Sequence, residues 1–594
     1  MNVEKTFRHR GMTLRHGCFE VREVIYACAR SCLRAGRRIR LRQMEPAALL
    51  LPRSTVGYDV MAYVGIERFV HQQQREEIRA SLRSRWGIEL STGEVSVLAR
   101  KFCVYLNALH VAHARSLRKV FESDGGWPMH VDATGEDGQG TLLVIYAGWR
   151  GWVLGAWKIP TERAEAILPR MLETGKLFGP PCSVMRDLGR AVIEASQKYI
   201  ASLNKPIPNL GCHMHFVRDV GKDLLRDSHD ALRELFRRFE VVADLRALTR
   251  DLGRKLGGDL SEARAQVVGW LEDGKQPFEL SPGLGGLAIV RALAQWTLDF
   301  PADGNDEGFP FDRPWLDLHA RCIRCCRAVE TFLTRPQHAD AHRALDRLFK
   351  IVVRVRNQVP FGAQATILSA RAKLLDELRG ALRLDLKPEG RNAPLSQVLS
   401  SKQAASELQD IEAALNRLTA SLRERRPTRG PAKDQRSAID IVLTHLDRHG
   451  ASLFGHLISL PRAVGGGLRV AERTNVMLES FFHVLKRGER RRSGRKNLAQ
   501  DLEHLPPEAA LALNLRRPDY LEVVCGGSLD DLPAAFAKLD AGHRDRSLPA
   551  RTTPSSEIDI VSASMTTTDR RLVRTDALNT RVQSAAQSRS MRLG

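Results

Sequence analysis

The sequence predicts an α/β core, a mixed sheet with helices on its faces, interrupted by a large all-α insertion and preceded by an all-α helix-turn-helix region. Three observations carry that expectation. Apolar residues recur at three- and four-residue spacing from Tyr58, the period drops to two at Gly125-Gly126, and the helical period returns beyond Phe216. Between those two changes the order is strand, strand, strand, helix, strand, helix, strand, which builds a layered α/β unit.

Taken in order, residues 1–56 hold twelve Lys and Arg against four Glu, a local +8, and are expected to form a basic DNA-binding segment. Residues 57–122 carry three helical patterns, GYDVMAYVGIERFV, REEIRASLRSRW and TGEVSVLARKFCVYLNALHVAHARSLRKVF. The break Gly87-Ile88-Glu89-Leu90-Ser91 puts Gly at the end of one helix and Ser91 or Thr92 at the cap of the next. That is the grammar of a helix-turn-helix, with Thr92 to Phe102 as the reading helix and Arg100 and Lys101 near its end as DNA contacts. An ordinary helical hairpin reads the same way, but this one follows a strongly basic segment.

Residues 123–216 form the first part of the core. WPMHVDATG, TLLVIYAG and WVLGAWKIP read as a three-stranded meander, followed by a helix, ERAEAILPRMLETG, with Thr161 as its cap. CSVMRDLG reads as a fourth strand, RAVIEASQKYIASL as a helix and NLGCHMHF as a fifth strand. Residues 217–469 read as a helical insertion domain with an exposed loop at Arg423 to Asp434, and 470–540 as the second part of the core. Residues 541–594, rich in Ser, Thr and Arg, are expected to be a disordered tail.

The 594 residues leave room for about four domain-sized units. Subtracting 69 acidic from 91 basic side chains gives +22, which suits a polyanionic partner, above all nucleic acid. No apolar run reaches the roughly 20 residues that span a bilayer, and no membrane partner is expected. Ten scattered cysteines make no disulfide framework, and MNVEKTFRHRGMTLRHG has no apolar signal segment, so the expected location is cytoplasmic. Cys18, Cys28 and Cys32, with His9 or His16, are irregularly spaced for zinc, and Cys322, Cys325 and Cys326 read as buried small residues. SPGLGGLAIV and AVGGGLRV lack the Lys-Ser/Thr of a phosphate loop, and no G-x-S-x-G appears.

Two carboxylates stand out because strands disfavour Asp: Asp132 inside the first strand and Asp187 at the end of the fourth. If the fourth strand pairs beside the first, the two converge, and hard oxygen donors so placed suit Mg²⁺ or Mn²⁺. A third, Glu479, lies beside the apolar stripe of a helix starting near Thr474, with Lys486 two turns further on and KRGERRRSGRK running from it.

HVDATG, MRDLG and TNVMLESFFHVLKR together resemble the Asp-Asp-Glu (DDE) transposases of the RNase H-like superfamily, most of all the Mutator-like bacterial insertion-sequence branch. The likeness covers about 125–216 and 470–500, with spacings of 55 and 292 residues that leave room for the insertion. Cys212-His213-Met214-His215 matches that branch's Cys-x-x-His signature and makes Cys212 and His215 possible accessory residues. The resemblance implies an RNase H-like core and a nucleoid-associated homo-oligomer on DNA, acting at the element's terminal inverted repeats and at target DNA. It also implies two Mg²⁺ or Mn²⁺ ions held by Asp132, Asp187 and Glu479 for strand cleavage and transfer. Lys486, Arg487, Arg490, Arg491 and Arg492 would then neutralise phosphates. A non-catalytic DNA-binding protein derived from such an element, or a nuclease without strand transfer, shares these motifs.

Overall fold

The change of period at Gly125-Gly126 is a change from helix to sheet. The computed structural model describes residues 1–34, 37–41, 49–136, 139–256, 260–272, 285–300, 308–334, 338–384, 401–430, 432–547 and 561–562. The chain divides into two units: Met1–Asn209 with Ile458–Ala471 and Asn475–Gly594, and Leu210–Leu457 with Glu472–Thr474. The second of these units overlaps the expected insertion, 217–469, with other bounds. The chain leaves the first unit at Asn209 rather than 216 and returns at Ile458 rather than 470.

The first unit opens with a feature the sequence reading lacked, an antiparallel hairpin of β1 (Asn2–Thr13) and β2 (Gly17–Ala27). The period of two is hidden in β1 because the strand carries few apolar residues to reveal it: Val3, Phe7 and Met12 stand among charged and polar neighbours. The helices Arg75–Trp86 and Thr92–Ala112 follow as expected. Gly87 closes the first in the left-handed region at φ 63°, where a side chain would be strained. Ser91 opens the second with a capping box: its Oγ accepts from the Glu94 N–H at 3.2 Å, and Glu94 Oε2 accepts from the Ser91 N–H at 2.7 Å. Thr92–Ala112 is, among the described residues, long and apolar enough to cross a bilayer by length and composition. Here Val95, Leu98, Phe102, Cys103 and Leu106 are buried in the core of the unit.

Next come β3 (Pro128–Glu136), β4 (Gln139–Ala147) and β5 (Trp152–Lys158), joined antiparallel, then β6 (Ser183–Arg186) and β7 (Asn209–Gly211). The sheet order is β7-β6-β3-β4-β5, with β6 parallel to β3. In order of appearance the strands thus lie 5-4-1-2-3. β3 begins with four buried residues in a row, as a strand covered on both faces must. The helices Ala164–Phe178 and Arg190–Ala201 contribute Ile167, Met171 and Ala195 to the buried core. The first is preceded by Arg163 as its N-cap residue, not Thr161. The expected fifth strand is only three residues long, because the helix His213–Arg238 begins where NLGCHMHF was read as extended.

β5 would present an open edge. Buried Asn514 occupies it, accepting from the Val153 N–H at 2.7 Å and donating to its carbonyl at 2.8 Å. The helix Leu532–Ser547 runs across the start of the segment expected to be disordered, and Asp540 accepts from the hydroxyls of Tyr58 and Tyr105 at 2.5 and 2.6 Å. The rest of that segment, apart from 561–562, lies outside the described residues.

The second unit is helical throughout its long elements, from His213–Arg238 to Lys433–His449. Leu224, Leu232, Phe236 and Phe361 are fully or almost fully buried in it, as are Cys322, Cys325 and Cys326. Arg371 clamps Asp434 and donates to the Leu224 carbonyl at 2.8 Å, tying the start of Lys433–His449 to His213–Arg238.

Candidate active site

The parallel register of β3 and β6 aligns Pro128 with Ser183 and ends with Val131 opposite Arg186. Asp132 and Asp187 each follow that last pair by one residue, and the charge of Asp187 acts on Asp132. Strands β3, β5 and β6 run in one direction, so residues following their carboxyl ends gather at one edge of the sheet, where α/β folds place their chemistry. Asp132 Oδ1 accepts from the Ala133 N–H at 2.8 Å. Asp187 Oδ1 accepts from the N–H of Gly189, the residue that caps Arg190–Ala201, at 3.1 Å. Behind it, buried Arg186 donates to the Asp187 carbonyl and to Asn209 Oδ1, both at 2.9 Å. Asn209 in turn donates to Ser196 Oγ at 3.1 Å, so the end of β6 is held by a buried polar chain.

Glu479 lies in the first turn of the helix Val476–Ser493. Its N–H donates to the Asn475 carbonyl at 2.8 Å, and the Asn475 side chain is 2.8 Å from His130 Nδ1. His130 precedes Asp132 by two residues on the same strand, so this link ties the Glu479 helix to the strand bearing Asp132. Gly148 makes room for it, since a Cβ there would lie 2.4 Å from His130 Nε2. Burial pushes the His130 imidazole down to about 4, which keeps it neutral. The sequence reading placed His130 on the Asp132 face but gave it no role, because its partner lies 345 residues away.

The carboxylates act on one another. Burial pushes Asp132 well above the usual carboxylate range, and the charges of Asp187, Glu479 and Glu162 push it further, against the Ala133 hydrogen bond. Glu162 is itself raised by burial and by Asp187. Glu162 was not among the expected residues, since it reads as the first residue of the helix ERAEAILPRMLETG, whereas that helix begins at Ala164. Its position just beyond the end of β5 is the signal. Among the described residues no three His, Cys, Asp or Glu side chains stand close enough to hold one metal ion. The donors are nonetheless all hard oxygens, and their mutual repulsion is what a divalent cation relieves.

The basic residues divide. Lys486 donates to the Gly135 carbonyl at 2.9 Å and so pins the middle of its helix to the end of β3. Burial lowers its ammonium, with Glu136 opposing. Arg487 is exposed; Arg490 and Arg491 are exposed as well and lie 3.9 Å from Glu136 and Glu77. Arg492 departs from the expectation. Its side chain is 4% exposed, pairs with buried Glu489, donates to the Arg68 carbonyl at 2.7 Å and covers the Phe69 ring at 5.5 Å. It is a core residue, not a phosphate contact. Arg100 is exposed and Lys101 half-buried on Thr92–Ala112.

Cys212 and His215 belong to the second unit, whereas Asp132, Asp187 and Glu479 belong to the first. Cys212 is buried at the N-cap of His213–Arg238, and His215 is half-buried in its first turn. Between them the fully buried His213 has Nε2 2.8 Å from the Leu453 carbonyl, meets His456 edge-on at 5.1 Å and has Arg473 at 3.5 Å. Burial, then the Arg473 charge, pushes His213 down to about 3, and His456 is lowered for the same reasons with His213 adding to them. Both are neutral in the fold and take up protons on unfolding below their ordinary value of 6.5. Stability present above pH 6.5 is therefore lost as pH falls towards 3, by about 1.4 kcal/mol per pH unit for each imidazole. Urea midpoints measured between pH 6.5 and 4 should fall accordingly, and His213→Gln should flatten the slope by about one proton.

Compared with known proteins, the chain matches no protein-family model and no curated protein. What fold and site define is a class: a mixed α/β protein with interacting carboxylates on and just after two neighbouring parallel strands and a helical unit that begins within the fifth strand.

Proposed function

We propose that the chain is a DNA transposase of the Asp-Asp-Glu class, with an RNase H-like core that cleaves and joins strands at the ends of an insertion sequence. The observation that supports this reading is the parallel register that ends one residue before Asp132 and Asp187, together with the charges of Asp187 and, from a distant segment, Glu479 that both act at Asp132. The sheet order supports it as well: a three-stranded meander with the fourth strand parallel against the first, and the helical unit inserted before the Glu, is the arrangement the resemblance implies.

Asp132, Asp187 and Glu479 are the residues that would hold divalent cations, Mg²⁺ or Mn²⁺. Bound there, such ions supply a Lewis acid and an activated oxygen nucleophile for in-line attack on a phosphodiester. The chain's own groups set the stage. Arg186 and the Gly189 N–H orient Asp187, and the His130–Asn475 link holds the Glu479 helix against β3. Arg487, Arg490 and Arg491 offer exposed guanidinium groups along that same helix for the DNA backbone.

A second reading, a DNA-binding descendant without catalysis, is favoured by one observation: among the described residues no three candidate ligands are gathered to coordinating distance. One experiment separates the two. The protein is incubated with Mg²⁺ and a duplex copied from the DNA flanking its gene, and new 3′-OH ends and joined products are sought. Cleavage and joining support the transposase, cleavage alone supports a nuclease, and binding without either supports the descendant.

A further inference from the structure

The N-terminal hairpin takes no part in the carboxylate site. Its turn end is anchored: Met12 and Phe19 are buried, and the Leu14 N–H donates to Asp59 Oδ2 at 2.8 Å. Its register runs from Asn2↔Ala27 to Thr13↔Gly17, with one irregularity between Val3 and Lys5. Short strands Arg40–Leu41 and Val561–Ser562 pair with β2, so β1 is the outer strand of its sheet. One face carries the buried Phe19 and Val21. On the other, Arg8 lies directly across from Arg22 and Arg10 across from Glu20. The Arg8 and Arg10 side chains are 67% and 47% exposed, Arg22 is exposed, and Glu20 stands 3.8 Å from both Arg8 and Arg10. Like charges directly opposite each other weaken a hairpin, and a long outer strand invites wrong pairing. A polyanion lying against this face relieves the first and shields the second.

We propose that this hairpin is a β-ribbon that docks in the major groove of duplex DNA, with Arg8, Arg10 and Arg22 facing phosphates and base edges. The inference rests on the proposal that the protein acts on DNA and names an element that engages it. Two strands about 5 Å apart fit a groove about 12 Å wide, and twelve residues at about 3.3 Å each span roughly one turn of the duplex. Arginine supplies the fork that reads guanine O6 and N7, and its charge displaces counterions from phosphates. An acidic protein would satisfy the charge alone and not the groove geometry.

The test uses the whole 594-residue chain and a duplex copied from the DNA flanking its gene. The triple variant R8Q/R10Q/R22Q is expected to make the dependence of log affinity on log salt shallower by roughly 2 to 3, and to lose protection of guanine N7 from methylation. A control, R237Q/R343Q, removes exposed guanidiniums of the second unit and should change neither. Glu20→Lys adds a cation to the ribbon face and should tighten binding, a gain that misfolding cannot imitate. An unchanged salt slope and unchanged N7 protection in the triple variant, with wild-type binding intact, overturn the inference and leave the transposase reading standing. If the triple variant behaves as expected but the wild type neither nicks nor joins DNA in Mg²⁺, the catalytic reading fails and the ribbon remains. A wild type that binds no DNA overturns both.

Discussion

Asp132→Asn is expected to abolish Mg²⁺-dependent nicking of element-end DNA, by on the order of a thousandfold or more, while binding of the same DNA is retained. A thousandfold is about 4 kcal/mol of barrier, and the argument for so large a loss is electrostatic. Asp132 is the carboxylate on which all the others act: Asp187, Glu479 and Glu162 each raise it, and burial raises it most. A group held so unfavourably as an anion makes no sense for stability, and a cation is the natural counterweight. The amide keeps shape and volume and removes the charge. Metal-free Asp132→Asn should accordingly be at least as stable as the wild type in a thermal melt. A variant that still nicks DNA at wild-type rate in Mg²⁺, or that loses DNA binding together with cleavage, would falsify the role given to Asp132.

Arg492→Ala is expected to cost about 3 to 5 kcal/mol of stability, the amount lost when one partner of a buried ion pair is removed. The substitution leaves Glu489 charged and buried, frees the Arg68 carbonyl and uncovers Phe69. Arg487→Ala and Arg490→Ala, on the same helix but exposed, should leave the melting temperature nearly unchanged and reduce the salt dependence of DNA binding by about one unit each. The contrast is the test: a variant of Arg492 that melts normally and merely binds DNA less tightly would return it to the phosphate contacts. The double variant E489Q/R492M should recover much of the loss, because it removes both charges together.

Sequence reasoning worked where local chemistry dominates. The meander of β3, β4 and β5, the strand that ends just before Asp187, and the Gly87 and Ser91 boundaries of the helix pair all follow from period, turn residues and caps. Asp132 and Asp187 were legible because a carboxylate within or just after an apolar strand is conspicuous. Other features depend on partners that no local pattern reveals. Arg492 reads like its neighbours in KRGERRRSGRK until Glu489, Arg68 and Phe69 close around it. His130 gains its role from Asn475, and Glu162 from the end of β5. Cys212-His213-Met214-His215 was read as strand, yet the structure opens a helix at His213, where the buried residue is the one between the signature positions.

The division of the chain has a consequence for synthesis. The second unit is almost continuous in sequence, from Leu210 to Leu457, whereas the first needs segments from both sides of it. Emerging from the ribosome, β5 meets its edge cover Asn514 only after some 360 further residues have been made. During that interval the early sheet presents an unprotected strand and lacks the helix that carries Glu479. The inserted helices are therefore all made before the segment bearing Glu479, so the charges that act together at Asp132 come together only after the second unit has been synthesised.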